Sequence, residues 1–325
     1  MKRILVVGAG ATGGFFGARL VQAGQDVTFL VRPRRAALLR ERGLRLTGLG
    51  EDEVIAPRLV TAAELDEAHD LAEPRDLADP YDLVLLSVKA TALEQAMDDI
   101  APAVGPRTAI VPLLNGMAHL TALTARFGAS SVLGGAAKMI TTVNGDGDIV
   151  RLAPLAVLDI GEQDGRPSPR TEEIRTVFAD AGIEAGVAAD IVAAMWHKWV
   201  FITTVAAVTC LMRGTGDDIG AVPGGADFAA GVLAESAAVA GAAGFPVPEE
   251  QLAATARTVT GRGSSLTVSM HRDVTEGRPT EVEHVLGDFL AHARTHSVAT
   301  PLLDLATLHL RVHQHRVERS TPARA

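Results

Sequence analysis

The pattern of hydrophobic and polar positions changes character at about residue 190. Before this point, short apolar runs alternate with stretches of helical spacing, an arrangement typical of a doubly wound α/β domain. These apolar runs, each predicted to be a strand or a hairpin, cover residues 4–7, 26–31, 44–60, 82–90, 108–117, 131–143 and 149–162. After residue 190, a long apolar segment precedes further segments of helical spacing, with turn residues between them. We therefore predict an α/β domain over residues 1–188 and an all-helical domain over residues 189–325.

The first apolar run leads directly into glycines at the spacing G-x-G-x-x-G. Gly8 permits a sharp turn, Gly10 lets a pyrophosphate approach the backbone, and Gly13 permits close packing of a helix on the strand. We expect Ala11 and Thr12, which open that helix, to share in an anion site at its positive end. An ordinary glycine-rich turn is the alternative. The strand before the motif and the strand after its helix favour a Rossmann-type dinucleotide-binding domain.

Three arginines follow the second predicted strand, at Arg32, Arg34 and Arg35. In a dinucleotide fold, the residue that ends this strand contacts the ribose. An acid there accepts a hydrogen bond from the 2′-hydroxyl of NAD, whereas an arginine pairs with the 2′-phosphate of NADP. The sequence therefore favours NADP(H), with Arg32 as the residue that contacts the 2′-phosphate. A solvated basic turn is the alternative interpretation.

Two later strands also deliver polar residues to their carboxyl ends. Ser87 and Lys89 end the run at 82–90, and Asn115 with Gly116 ends the run at 108–117. Ligands of α/β sheets bind at this edge. We therefore predict that Lys89 and Asn115 lie at a ligand-binding edge of the sheet.

The long apolar segment at residues 190–213 contains Lys198. A lysine in an apolar helix loses hydration, which disfavours its charged form unless it has a partner or a chemical task. Lys198 is therefore a candidate catalytic residue. Alternatively, its aliphatic stem covers apolar surface and its ammonium reaches solvent.

Composition excludes several classes of protein. The chain of 325 residues is 47% hydrophobic and has a formal net charge of −9, which argues against a general nucleic-acid binder. Its single cysteine, Cys210, fits a reducing compartment. We recognise no signal peptide, no membrane-spanning segment and no metal-binding motif, so we predict a cytoplasmic protein.

The chain resembles the ketopantoate reductase family, whose members are 2-dehydropantoate 2-reductases. The resemblance rests on five motifs in order, which are GAGATGGFFGARL, SVKA, LLNGM, MWHKWVF and GRPTEVEHVLGDFL. It implies a Rossmann-type domain followed by a helical domain that binds the substrate and forms dimers. It also implies NADPH-dependent reduction of a 2-keto acid to a 2-hydroxy acid, as in pantothenate biosynthesis.

The resemblance implies roles for residues that match the family motifs. Lys198 corresponds to the lysine that donates a proton to the carbonyl oxygen, and Glu281 to the acid that orients the site, with Glu283 as the nearby alternative. Asn115 corresponds to the asparagine that lies near the nicotinamide ribose of the cofactor and near the substrate, and Ser269 corresponds to the serine that holds a substrate oxygen. Further matches are Asp273 with an aspartate of the substrate site, and Arg32 and Lys89 with residues that contact the cofactor. Alternatively, Asn115 caps a turn, and Ser269 or Asp273 caps a helix.

The chain departs from the family at two positions on the face of Lys198. The family has asparagines four and eight residues after the lysine, whereas this chain has Ile202 and Ala206. Loss of two amides weakens discrimination for the oxygens of ketopantoate. Three nearby threonines, at positions 203, 204 and 209, would compensate in part. A second departure is the extra length between residues 63 and 82.

These departures leave alternative functions open. A more apolar 2-keto acid could be the substrate, or the enzyme could act on another hydroxy acid or on an amino or imino acid. A non-catalytic NADP(H)-binding sensor is the alternative from a different class. A homodimer formed through the helical domain is a further hypothesis.

Overall fold

The computed structural model describes residues 2–70, 79–261 and 267–320. Its contacts divide the chain into two compact units. Unit 1 comprises Met1–Leu114 and His119–Ala194, and unit 2 comprises Asn115–Ala118 and Met195–Ala325. The short segment Asn115–Ala118 thus belongs to unit 2 although unit 1 flanks it in sequence. The predicted boundary after residue 188 falls a few residues before this division.

Unit 1 contains strands and helices in alternation. In chain order they are β1 (Arg3–Val7), α1 (Ala11–Gln22), β2 (Asp26–Leu30), α2 (Pro33–Arg42), β3 (Leu44–Gly48), β4 (Glu51–Ile55), β5 (Arg58–Val60), α3 (Ala62–Asp70), β6 (Leu83–Leu86), α4 (Leu93–Ile100), β7 (Ala109–Pro112), α5 (Ala118–Phe127), β8 (Gly134–Val143), β9 (Ile149–Gly161), α6 (Pro169–Asp180) and β10 (Glu184–Val187). Of the longer connection between residues 63 and 82, residues 71–78 lie outside the described part of the chain.

Five strands form a parallel sheet in the order β5-β2-β1-β6-β7. The first strand lies at its centre, so that Ile4 pairs with Val27 on one side and Leu83 on the other. Strands β1, β2, β6 and β7 are almost completely buried, which matches their continuous apolar runs, whereas the edge strand β5 is partly exposed. This sheet confirms the predicted Rossmann-type domain.

The remaining strands form a second, mixed sheet that the strand–helix alternation did not predict. Strands β3 and β4 make the predicted antiparallel hairpin, and β8 pairs antiparallel with β9. Strand β9 also pairs in parallel with β3 and β10. Helix α1 contacts strands of both sheets. The glycine-rich face of α1 is buried against these strands. The helix can approach them this closely because its glycines carry no Cβ.

Unit 2 is helical throughout its described residues, as predicted. Its helices are α7 (Ile191–Met212), which begins four residues earlier in unit 1, α8 (Gly216–Gly220), α9 (Gly225–Ala242), α10 (Glu249–Thr260), α11 (Ser269–Thr275), α12 (Asp288–Thr295) and α13 (Pro301–Ser320). One turn of π-helix, Glu283–Gly287, immediately precedes α12.

Helix α7 is the core helix of unit 2. It is long and apolar enough to cross a membrane, but 61% of its most apolar window is buried inside the protein. Trp196 stacks on Phe245 with ring centroids 5.4 Å apart, and Trp199 meets Phe289 edge to face at 4.9 Å. These contacts bury the helix by packing within a globular unit.

Candidate active site

The glycine turn at the end of β1 has two positions at which packing requires glycine. Gly8 has φ of +93°, and a Cβ there would lie 2.6 Å from the carbonyl oxygen of Ser87. A Cβ on Gly13 would lie 2.8 Å from the Cβ of Ser87. A Cβ on Gly10, in contrast, would meet no atom of the described residues within 4 Å. The absence of a side chain at Gly10 therefore leaves space for a ligand.

The helix that follows this turn offers unsatisfied donors. Gly10 is the N-cap of α1, and no side chain caps the helix. The first N–H groups of the helix, from Ala11, Thr12 and Gly13, have no acceptor within the helix itself. Together with the positive end of the helix dipole, they suit a pyrophosphate. The turn therefore fits a dinucleotide, which agrees with the sequence motif.

The three arginines after β2 occupy different environments. Arg35 donates to the carbonyl oxygens of Ala9 at 3.0 Å and Gly147 at 2.9 Å, and its burial lowers its pKa. It therefore stabilises the glycine turn from within unit 1. Arg32, the N-cap residue of α2, and Arg34 are exposed, and neither forms an ion pair with a described carboxylate. Arg32 is thus accessible to an anionic ligand, and its contact with a 2′-phosphate stays a prediction.

Lys89 is exposed and lies just after β6, so it follows a strand that neighbours β1. It begins a single 3₁₀ turn, Ala90–Ala92. Gly8, Arg32 and Lys89 therefore follow three adjacent parallel strands at one edge of the sheet. This edge is where doubly wound sheets bind ligands.

A pocket within unit 2 brings together the residues that the sequence assigns to the substrate. Its polar lining residues are Asn115, Ser269, Asp273 and Glu281, and its apolar lining residues are Ile202, Ala206, Val268, Met270 and Val285. The cavity volume is about 20 Å³, enough for about one water molecule. The pocket can therefore enclose one group of a substrate, and the rest of the substrate must extend beyond it.

Asn115 reaches this pocket because a tight turn packs against the π-helical segment. Gly116 has φ of +83°, and a Cβ there would lie 2.7 Å from the carbonyl oxygen of His284. The next carbonyl, that of Val285, accepts hydrogen bonds from Trp199 Nε1 at 2.9 Å and Thr203 Oγ1 at 3.3 Å. A π turn leaves carbonyl groups with altered partners, and here α7 supplies those partners.

The two candidate glutamates have different surroundings. Glu281 lines the pocket. Glu283 forms a bidentate ion pair with Arg311, at 2.7 Å and 2.6 Å, and these hydrogen bonds hold its pKa below the usual value. The geometry therefore favours Glu281 over Glu283 as the acid of the site.

Helix α11 supplies the other polar lining residues. Ser269 is its first residue, and the N-cap is Val268, so Ser269 does not cap this helix. The carboxylate of Asp273 accepts hydrogen bonds from the guanidinium of Arg278 at 2.9 Å. Arg278 therefore fixes a charged group at the wall of the pocket.

Lys198 lies on α7 one turn before Ile202 and two turns before Ala206, on the same helical face. It is half-buried. Ile202 and Ala206 line the pocket, whereas Lys198 does not. The lysine lies about 6 Å from Ile202 along the helix axis, towards the amino end of α7. It therefore lies just beyond one end of the row of residues that line the pocket.

The threonines expected to replace the family asparagines make other contacts. Thr203 donates to Val285 and Thr209 to the carbonyl oxygen of Val205, while the buried hydroxyl of Thr204 has no hydrogen-bond partner among the described residues. None of the three lines the pocket. The structure therefore gives no support to compensation by these threonines, because the hydroxyls of Thr203 and Thr209 are bonded to backbone carbonyl oxygens and that of Thr204 is outside the pocket lining.

The sequence analysis missed three lining residues, Val268, Met270 and Val285. Each lies either next to a predicted site residue in sequence or one helical turn away from one. Val268 and Met270 flank Ser269, and Val285 lies four residues after Glu281. The helical period of the last pair was the available signal.

Two family models match the chain. Residues 4–165 match the model "Ketopantoate reductase PanE/ApbA", and residues 190–314 match its C-terminal counterpart, "Ketopantoate reductase PanE/ApbA C terminal". The chain belongs to the ketopantoate reductase family. Ketopantoate reductases are oxidoreductases that act on CH–OH groups and use a nicotinamide dinucleotide, consistent with the glycine turn of unit 1.

Individual relatives extend over almost the whole chain. The uncharacterized oxidoreductase YkpB of Bacillus subtilis is 29% identical over 96% of this chain and 99% of its own length. The crystal structure of 2-dehydropantoate 2-reductase from Geobacter metallireducens is 27% identical, with a TM-score of 0.83, over 95% of this chain and 99% of its own. The structure of D-mandelate dehydrogenase with NADH and anilino(oxo)acetate is 20% identical to this chain. The match covers 98% of this chain and 99% of the dehydrogenase chain, with a TM-score of 0.85, and shows that the two share a fold.

Proposed function

We propose that the protein catalyses NADPH-dependent reduction of a 2-keto acid to a 2-hydroxy acid, and that its substrate has an apolar side chain. The observation that supports this proposal most directly is the composition of the unit 2 pocket. There, Asn115, Ser269, Asp273 and Glu281 share one cavity with Ile202 and Ala206, the apolar positions at which this chain departs from the family pattern.

The proposed roles follow from the charge that develops during reduction. NADPH, when bound, supplies the hydride that adds to the carbonyl carbon. The carbonyl oxygen then gains negative charge, and Lys198 stabilises that charge and donates the proton that completes the hydroxyl group. Asn115 and Ser269 donate hydrogen bonds to substrate oxygens, and Glu281 orients the substrate.

The apolar side of the pocket is the basis for the substrate class. Ile202, Ala206 and Val285 present no hydrogen-bonding side chain, so a substrate hydroxyl placed against them would lose its hydration without replacement. Ketopantoate carries such a hydroxyl. Its analogue trimethylpyruvate has hydrogen in place of that hydroxyl and is otherwise identical. We therefore propose that trimethylpyruvate, or a branched 2-keto acid like it, is preferred to ketopantoate.

NADP(H) is the proposed form of the cofactor. Arg32 is exposed at the end of β2, where its guanidinium can pair with a 2′-phosphate, and no acid stands at this position to accept from a 2′-hydroxyl.

The test is the oxidation of NADPH by purified protein with ketopantoate and trimethylpyruvate as a matched pair, and pyruvate as a third substrate. We expect the ratio of kcat/KM values to favour trimethylpyruvate by about tenfold, the effect of one uncompensated polar group. Preference for ketopantoate would contradict the apolar-substrate proposal and would support a place in pantothenate biosynthesis. Turnover only when ammonia is added would instead indicate an amino-acid dehydrogenase.

The alternative of a non-catalytic sensor predicts NADPH binding without turnover of any keto acid. Binding can be measured separately by the fluorescence of the bound dinucleotide. Tight binding with no turnover across the panel would favour the sensor.

We also propose a cytoplasmic homodimer formed through unit 2. Leu305 and Leu308 are large apolar residues on α13 that are more than half exposed. Light scattering after size-exclusion chromatography should give twice the mass of one chain, and L305E/L308E should give a monomer. A monomer in the wild type would contradict the proposal.

A further inference from the structure

A second cavity of unit 2, about 160 Å³ in volume, has a strongly basic lining. Its lining residues are Arg213, Val274, His309, Val312, His313 and Arg316. None of them lines the candidate substrate pocket. The lining contains two arginines and two histidines but no carboxylate, in a chain with a formal net charge of −9. We call this site the basic cavity.

Two elements place these cationic groups together. Helix α13 supplies His309, His313 and Arg316 at positions i, i+4 and i+7, which lie on one helical face. Arg213 follows the last residue of α7 with φ of +55°. Helices usually place glycine or asparagine in this left-handed conformation, but this chain has arginine there and glycine one residue later. The strained position holds a guanidinium at the cavity.

The charges of the basic cavity are not balanced by the described part of the protein. No ion pair joins Arg213 or Arg316 to a described carboxylate, and the nearby acids of the 273–278 segment, Asp273 and Glu276, pair with Arg278. The carbonyl oxygen of Arg278 contacts His313 Nε2 at 2.9 Å. Burial lowers the pKa of His309, and the neighbouring cations lower it further. A bound anion would relieve this repulsion.

We propose that the basic cavity binds a phosphate group, either as inorganic phosphate or as part of a small phosphorylated molecule. Two permanently charged arginines match a dianion, and the planar guanidinium can donate two parallel hydrogen bonds to phosphate oxygens. His309 and His313 add hydrogen-bond donors to the two guanidinium groups. Val274 and Val312 shield these contacts from water.

The experiment is calorimetric titration of the full-length protein with inorganic phosphate, glycerol phosphate and acetate. We expect saturable binding of the two phosphates and none of acetate. The double variant R213Q/R316Q should weaken phosphate binding by at least about tenfold. R319Q, which changes an arginine of α13 outside the cavity, is the matched control and should bind as the wild type does.

The proposed 2′-phosphate site at Arg32 in unit 1 is a competing anion site, so R32A serves as a second control. We expect R32A to leave this phosphate binding intact, which separates the basic cavity from the proposed NADPH site. Tighter binding of glycerol phosphate than of phosphate would identify an esterified ligand, and equal binding would identify the free ion.

His309 provides an independent readout through sulfate, whose charge is constant over the relevant pH range. Burial and the neighbouring cations lower the pKa of His309, and a bound anion offsets the cations, so sulfate affinity should rise as the pH falls from about 8 to about 6, and the milder variant H309Q should reduce this rise. Lack of saturation by any dianion, or equal losses in R213Q/R316Q and R319Q, would overturn the proposal.

Discussion

A carbonyl that accepts hydride develops negative charge on its oxygen, and the cation proposed to meet that charge is Lys198. K198A should lower kcat by at least about 100-fold, the usual contribution of a general acid, while NADPH binding stays within about twofold of the wild type. Stopped-flow kinetics and dinucleotide fluorescence measure the two quantities. K138A is the control, because Lys138 pairs with Asp159 at 3.2 Å in the second sheet. A K198A variant with a tenth of wild-type kcat would contradict the role.

Substrate preference depends on the two residues that follow Lys198 along the same face of α7. I202N/A206N should shift the kcat/KM ratio towards ketopantoate and away from trimethylpyruvate by at least about tenfold, because the amides can hydrogen-bond the extra hydroxyl. A193N, on the same helix but outside the pocket, should leave the ratio unchanged. A uniform loss with both substrates would mean that Ile202 and Ala206 support packing only.

The turn after β2, which carries Arg32, is proposed to determine the preference for NADPH over NADH. R32A should weaken NADPH binding by about tenfold and NADH binding much less, since only NADPH carries the 2′-phosphate. Titration of dinucleotide fluorescence gives both dissociation constants. R40A changes an exposed arginine of α2 that pairs with Glu64 at 2.9 Å, and should affect neither cofactor. Equal losses for NADPH and NADH in R32A would exclude recognition of the 2′-phosphate.

At the scale of elements, the turn that carries Asn115 depends on contact with the π-helical segment. G116A should destabilise the protein by more than G244A. Both positions have positive φ, at +83° and +91°, but a Cβ at Gly244 meets no described atom within 4 Å. G244A therefore measures the conformational cost alone, about 1 kcal/mol. Urea denaturation gives this comparison. KM should rise only in G116A, and equal effects of the two substitutions would show that the contact with His284 is unimportant.

Local patterns predicted the elements whose contacts are close in sequence. The run from β1 through the glycines to α1 and the buried helix α7 followed from periodicity and turn residues. The second sheet did not, because β3 pairs with β9 about one hundred residues later, as Leu46 does with Ile149. Pairing over such a distance depends on tertiary packing, which neither strand encodes alone.

The candidate site shows the same limit. Motifs selected Asn115, Ser269 and Glu281, and the structure places all three in one pocket. The sequence could not show that Arg35 has a structural role whereas Arg32 is exposed. The difference arises because the guanidinium of Arg35 donates to carbonyl oxygens of two segments that are distant in sequence. It also could not predict that Thr203 and Thr209 of α7 donate to backbone carbonyl oxygens, because the angle around a helix gives the direction of a side chain but not its partner.

At the scale of the whole molecule, Cys210 reports on opening of unit 2. It is the only cysteine of the chain, it is fully buried in α7, and burial raises its pKa to about 12. The thiolate is the reactive form, so the folded protein should resist thiol reagents and react only when α7 opens. Labelling with a chromogenic disulfide in increasing urea measures this opening.

NADPH should slow the labelling of Cys210 even though the proposed dinucleotide site lies in unit 1. The first four residues of α7 belong to unit 1 and the rest of the helix to unit 2, so α7 links the unfolding of one unit to the other through its first turn. A ligand at about 100 times its dissociation constant stabilises the native state by about 2.7 kcal/mol, which corresponds to about 100-fold slower labelling if the units open together. R32A at the same NADPH concentration is the control and should keep only about tenfold protection, because its NADPH binding is about tenfold weaker. A melting temperature that rises with NADPH while the labelling rate stays constant would show that unit 2 opens independently of unit 1.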